Sequence, residues 1–264
     1  IDFLIFCTQG PDYFLPTSAC LLQTRLGLRR DIGAVDINLG CSGFVYGLSF
    51  ASGLIASGVA RRVLLITADT YSKFINERDR SVRTLFGDGA AATLVTAAPR
   101  PTSRIGPFVF GTDGSGATTL IVETGGARTP RCAQSAIETR DAAGNVRSRD
   151  NLYMNGAAVM SFTLREVPKT VNDLYRRVGT SAQDYDYFVA HQANKFVLDA
   201  LERKLAIPSE KFPRHYELIG NTVSSTIPFV LESLLASGRL SGGKRVMLIG
   251  FGVGLSWAGA DMIW

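Results

Sequence analysis

Cys41 is the residue whose position speaks first. It follows a β-branched run, Val35–Asn38, through Leu39-Gly40, and it opens an apolar stretch with Phe44, Leu48, Ala51 and Ile55 at helical spacing. A sharp strand-to-helix turn lifts the side chain at its apex above the sheet, as in a nucleophile elbow. Unpaired N–H groups and the positive end of the helix dipole favour a thiolate there, so Cys41 is expected to have a lowered pKa and to act as a nucleophile. Without those neighbours a buried Cys would be inert. His191, one of two His in the chain, stands between the run Tyr187–Ala190 and a helical pattern, Asn194–Leu205. Its ring could reach the same cleft edge as Cys41 if the two strands are neighbours. His215 has no such setting and reads as structural. Asn221 taken singly is a helix N-cap. Taken together, a thiol, an imidazole and an amide suit acyl transfer through a covalent intermediate.

The Gly-rich tail Gly250-Phe251-Gly252-Val253-Gly254 is not a dinucleotide fingerprint, because the third Gly of that pattern is missing and too little chain follows for a βαβ unit. A tight turn that brings the N–H of Val253 to the nucleophile fits better. With the N–H of Cys41 it would form an oxyanion hole. Phe86-Gly87-Asp88-Gly89 reads as a structural turn before a strand.

These residues need a scaffold, and the chain supplies an alternation of short apolar runs with longer helical patterns, the mark of an α/β layer protein. Strands are expected at Ile1–Cys7, Val35–Asn38, Val63–Ala68, Ala90–Thr96, Ile105–Phe110, Thr119–Val122, Tyr187–Ala190, Val246–Ile249 and Ala258–Ile263. Helices are expected at Thr17–Leu26, Cys41–Ser57, Gly156–Arg177, Asn194–Leu205 and Ile227–Ser237. Gly125–Asp150 is polar and reads as a loop excursion, functional or mobile at that length.

Three blocks recur in order at nearly constant separation: 1–9 with 185–193, 41–58 with 221–238, and 61–67 with 244–250. They indicate a duplicated α/β unit, divided as 1–103 and 104–264. In the second copy about 80 residues precede the strand equivalent to the first copy's opening strand, so the first repeat is expected to be N-terminally truncated. The duplication places Asn221 where Cys41 stands in the other copy. Both would face a pseudo-twofold axis at helix N-termini.

The remaining composition narrows the class. With 46% hydrophobic and 19% charged residues the chain is too apolar for disorder, and no apolar run reaches the roughly 18 residues of a membrane helix. Four Cys (7, 20, 41 and 132) without a CxxC give neither a disulfide framework nor a metal site, which suggests a reducing, cytoplasmic setting. The first residues carry no basic n-region or cleavage site and are not a signal peptide. The net charge of +5 is scattered, so nucleic acid is not expected as a partner, whereas a phosphate-bearing or acidic one is mildly favoured.

The blocks Asp36–Phe44, Phe86–Ala90, His191–Asn194, Gly220–Thr222 and Phe251–Trp257 together resemble β-ketoacyl-[acyl carrier protein] synthase III, of the thiolase superfamily. The resemblance spans nearly the whole chain. It implies a duplicated, layered αβαβα fold, a homodimer, and catalysis by Cys41, His191 and Asn221 with the oxyanion hole at the Cys41 and Val253 N–H groups. It also implies CoA thioesters and acyl carrier protein as reaction partners, with no resident cofactor. Thiolases have a second Cys, and elongating synthases a second His, where this chain has Asn221. The Pro of the chalcone-type loop is missing from 250–254, which points to the initiating class. Leu15 matches a residue that reaches the partner subunit's acyl tunnel and Met160 a tunnel-lining one, while Lys195 and Arg203 lie where a carrier or CoA would dock.

Departures from the family are Ser161 and Phe196 in place of basic residues, and a 125–150 excursion longer than the family's. They suggest a different acyl group or carrier, or transfer from Cys41 to a hydroxyl or amine. A catalytically silent subunit of the same fold would not need the Cys/His/Asn set. A Cys-dependent α/β-hydrolase would need an acidic residue between nucleophile and His, and it does not predict a repeat.

Overall fold

The computed structural model describes residues 1–98 and 104–264; the boundary drawn between 103 and 104 therefore touches residues outside the described ones. The first sheet has the order β2-β1-β3-β4, from β1 (Phe3–Cys7), β2 (Gly33–Ile37), β3 (Arg62–Asp69) and β4 (Gly89–Thr96). β1 runs parallel to β2 and β3, and β4 antiparallel to β3. The second sheet has the order β10-β11-β12-β5, from β5 (Arg104–Thr112), β10 (Tyr187–Ala190), β11 (Arg245–Gly252) and β12 (Ser256–Ile263). β10 and β11 are parallel, and the two remaining pairings are antiparallel.

Helices complete five layers. α1 (Ser18–Arg25) covers the outer face of the first sheet, and α4 (Gly156–Val178) with α5 (Lys195–Leu205) covers that of the second. Between the sheets lie α2 (Gly43–Ala56) and α7 (Thr226–Ala236). α2 contains no charged residue, as suits a helix whose first half is largely buried between the two sheets. Its small residues let it approach closely: a Cβ on Gly47 would lie 2.6 Å from Leu65, and one on Gly43 2.3 Å from the Cys7 sulfur. Phe44, Val45 and Leu48 of α2 join Ile227, Val230 and Leu234 of α7 in one core with residues of both sheets.

The expected strands and helices are all present, with ends shifted by up to three residues and 119–122 reduced to the two-residue β6 (Leu120–Ile121), which pairs with β9 (Tyr153–Met154). α4 holds its full length despite Pro168; Asn155 caps its first turn and Gly179 closes it in left-handed geometry. The 125–150 excursion is built, not featureless. β7 (Thr139–Arg140) and β8 (Val146–Arg147) form a small hairpin, and Arg147 pairs with Asp79 and Asp141. Two one-turn helices, α3 (Arg80–Arg83) and α6 (Tyr216–Ile219), were not expected.

Candidate active site

The Cys41 turn forms because Gly43 N–H donates to the Gly40 carbonyl at 2.8 Å, with Ser42 at the N-cap position and α2 starting at Gly43. The helix thus begins two residues later than expected, and Cys41 sits on the turn before it. Opposite, the end of β11 presses on the nucleophile. A Cβ on Gly252 would stand 2.7 Å from the Cys41 sulfur, and one on Gly250 2.8 Å from the Ser42 Cα. Only glycine permits this approach. The N–H groups of Val253 and of Cys41 itself are directed at the sulfur.

His191 follows β10, and its N–H donates to the Ile249 carbonyl at 2.8 Å. The imidazole is 1% exposed, with Nδ1 2.7 Å from Thr226 Oγ1, a hydroxyl that can give or take the shared proton. Asn221 is fixed from both sides. Its N–H donates to the Leu85 carbonyl at 2.8 Å, its carbonyl accepts from Gly87 N–H at 3.0 Å, and its Oδ1 accepts from Val223 N–H at 2.9 Å. With Oδ1 used locally, the group that the amide can offer a ligand is Nδ2, a donor. Val223 is held at a φ of 56°, in left-handed geometry that a β-branched residue rarely adopts.

Cys41, His191 and Asn221 line one pocket, together with Phe86, Met160 and Gly252. His191 and Cys41 meet although the strands leading to them are not neighbours. β2 and β10 belong to different sheets, and the residues converge because each leaves its sheet toward the shared middle layer. The expected depressed thiol pKa is also corrected: burial, with the Asp69 carboxylate second, pushes Cys41 up to about 12 against the two N–H groups that lower it. Burial likewise lowers His191 to about 3. The resting pair is a neutral thiol and a neutral imidazole.

Met160 also lines this pocket. Leu15 is 79% exposed on the 10–16 loop. Lys195 is ion-paired with Asp199 at 2.7 Å, Arg203 is exposed, Ser161 is exposed, and Phe196 is 79% exposed on the first turn of α5. Among the described residues no group of three or more His, Cys, Asp and Glu could hold a metal ion.

Two family models match: 3-oxoacyl-[acyl-carrier-protein (ACP)] synthase III over residues 35–114, and its C-terminal counterpart over 175–264. A β-ketoacyl-[acyl-carrier-protein] synthase III of Deinococcus deserti is 36% identical over 264 residues, covering 100% of this chain and 71% of its own length. The chain belongs to the synthase III family. A second relative, β-ketoacyl-[acyl-carrier-protein] synthase III 3 of Streptomyces coelicolor, is 37% identical and aligned over 76% of its own length. A crystal structure of a 3-oxoacyl-(acyl-carrier-protein) synthase III matches with a TM-score of 0.98 at 58% identity, covering 100% of this chain and 78% of that one.

In this synthase III chain, one part of the site escaped the sequence reading. Phe86-Gly87-Asp88-Gly89 is more than a structural turn: Phe86 bridges to Asn221 as a short parallel pair, and a Cβ on Gly87 would collide with the Ile219 carbonyl at 2.3 Å. The signal was there in the two closely spaced glycines, but its partner lies far along the chain. Asp69, buried beside Cys41, lies one residue beyond the expected strand Val63–Ala68 and was given no role.

Proposed function

We infer that this chain is an acyltransferase that makes a β-ketoacyl thioester by decarboxylative condensation, as the initiating step of fatty-acid synthesis. The observation that carries this reading is the convergence of Cys41, His191 and Asn221 on one pocket with the Val253 and Cys41 N–H groups directed at the sulfur.

In the first half-reaction Cys41 attacks an acyl-CoA thioester. His191 takes the thiol proton and returns it to the departing CoA sulfur, while the Cys41 and Val253 N–H groups hold the tetrahedral oxyanion. The acyl group then extends past Met160 into the pocket. In the second half-reaction the malonyl thioester carbonyl accepts hydrogen bonds from Asn221 Nδ2 and from His191 Nε2–H, with Thr226 now donating to Nδ1. Carbon dioxide leaves, the enolate is stabilised, and its carbon attacks acyl-Cys41, expelling the sulfur as a thiolate that takes a proton from water to restore the neutral thiol. Asn cannot shuttle protons, so a donor is its natural role. The thioester carbonyl is itself the electron sink, and the chemistry needs no resident cofactor.

Acyl-CoA and acyl carrier protein are the proposed partners, with Lys195 and Arg203 as candidate contacts on α5. A homodimer is supported by the adjacent Tyr13, Phe14 and Leu15, which are 60%, 79% and 79% exposed, with Leu15 entering the partner's tunnel. Residues 1–103 and 104–264 are proposed as two copies of one unit: the matched blocks supply a parallel pair in each sheet, β1 with β3 and β10 with β11, each followed by an antiparallel strand. Among the described residues no helix is long and apolar enough to cross a membrane, and the irregular spacing of the Cys suits a cytoplasmic setting.

The reading is tested by incubating the protein with acyl-CoA and then a malonyl thioester. A β-ketoacyl product that requires malonyl supports it; a malonyl-independent ester or amide would instead favour transfer to a hydroxyl or amine.

A further inference from the structure

Asp69 ends β3 with its carboxylate 2% exposed, in the space behind Cys41. Oδ1 accepts from Gln9 N–H at 2.8 Å, and Oδ2 accepts from Ser224 Oγ at 2.6 Å and more weakly from Ser224 N–H at 3.4 Å. Among the described residues it has no ion-pair partner. Its titratable neighbours come from four elements: Cys7 at the end of β1, Cys41 before α2, Tyr71 in the turn after β3, and Asp88 in the glycine turn. None is a cation. The Gln9 side chain that accepts from Tyr71 also lies where a Cβ on Gly40 would be, so this cluster supports the nucleophile turn directly.

A buried carboxylate with hydrogen bonds but no counter-charge is expensive to keep. The position also does something a neutral group could not. Ser224 follows the Asn221–Val223 turn, whose left-handed Val223 needs external support, and Asp69 supplies it from the other sheet.

We propose that Asp69 is a positioning residue for the acyl-transfer site: it ties Ser224, and with it the Asn221 turn, to the first sheet, and it holds a negative charge beside Cys41 that adds to burial in keeping the resting thiol protonated. The second half of this role protects a buried sulfur from reagents until a thioester enters. The proposal deepens the functional reading given above and rests on it for the identity of the reaction, but its charge effect is measurable without any substrate. The carboxylate's burial raises Asp69 to about 6, so the charge is present above that pH and lost below it.

The test follows alkylation of Cys41 by iodoacetamide against pH, read on the tryptic peptide 31–61, which holds Cys41 and no other Cys. Wild type should show two parallel limbs joined by a shoulder near pH 6, since a like charge nearby shifts a pKa by about one unit or more. Asp69→Asn should give a single limb, with alkylation at pH 8 faster by on the order of tenfold. Ser224→Ala keeps the charge, so its alkylation should match wild type, while its kcat for condensation falls by about tenfold and acyl-Cys41 still forms. Superimposable limbs for wild type and Asp69→Asn would overturn the charge role, and the wild-type curve decides it even if the variant fails to fold. Unchanged condensation in Ser224→Ala would overturn the positioning role. If the protein alkylates as stated yet takes no acyl group from acyl-CoA, the reading of the reaction fails and that of Asp69 stands.

Discussion

Ser42 Oγ and Ser256 Oγ lie 2.6 Å apart although 214 positions separate them in sequence. Ser256 also donates to the Val253 carbonyl at 3.1 Å, so in this chain of bonds Ser42 donates to Ser256. The residue after the nucleophile is thereby tied to the turn that carries the second oxyanion donor. This contact sets the distance between two N–H groups that belong to opposite sheets.

Ser256→Ala removes both bonds and leaves Ser42 Oγ without its buried partner. Stability should fall by about 1 to 2 kcal/mol, read as a lower denaturant midpoint with an unchanged m-value. The rate of acyl-Cys41 formation should fall more than the rate of condensation from preformed acyl-enzyme, because the oxyanion turn is loosened.

Gly252→Ala places a methyl where only 2.7 Å separates it from the sulfur. Something must shift, and either Cys41 or the Val253 turn moves. A displacement near 1 Å costs on the order of a hundredfold in rate. Stopped-flow or quenched acylation with acyl-CoA measures it, and a wild-type rate would mean that the sulfur is not confined as described.

Asn221→Ala deletes Nδ2 and the bond to Val223 N–H. Loss of one oxyanion-type donor costs about 10²–10³ in rate, and here it should fall on the malonyl-dependent step. Acyl-Cys41 should still accumulate, so mass spectrometry would find the adduct persisting after malonyl thioester is added.

His191 also governs acid stability. Its folded pKa of about 3 lies below the unfolded value of about 6.5, so the unfolded state binds more protons between those values. The sign is therefore a loss of stability as pH falls below about 6.5, with the full contribution present above it. At pH 5 this one group should cost about 2 kcal/mol relative to pH 7.5. Urea titrations of wild type and His191→Gln at both pH values measure it: the variant should lose less stability on acidification.

The sequence made the long elements legible because their patterns are strong. Tyr187–Ala190 was expected at both of its observed ends, and the 156–177 helix ends one residue later, since each has an unbroken apolar face and clear breakers around it. The Cys41 turn was readable for the same reason, as a β-branched run followed by a turn at Leu39-Gly40. What sequence could not supply was the environment. The thiol pKa was expected low from the helix start alone, but burial and the Asp69 charge outweigh the two N–H groups. The Phe86–Asn221 bridge and the Asp69–Ser224 bond join positions 135 or more apart, and no local pattern announces such a pair. The 139–147 hairpin and α6 are too short to show a periodicity, and the hairpin depends instead on contacts such as Arg147 with Asp79.

The central claim is that Cys41 carries the acyl group into a carbon–carbon bond. The most direct measurement is intact-mass analysis of wild type and Cys41→Ala after acyl-CoA, repeated after addition of a malonyl thioester. Wild type should gain one acyl mass on the 31–61 peptide and lose it when malonyl is added, with a β-ketoacyl product appearing in step; Cys41→Ala should show neither. An adduct that persists in Cys41→Ala, or a wild type that never acquires one, would contradict the account.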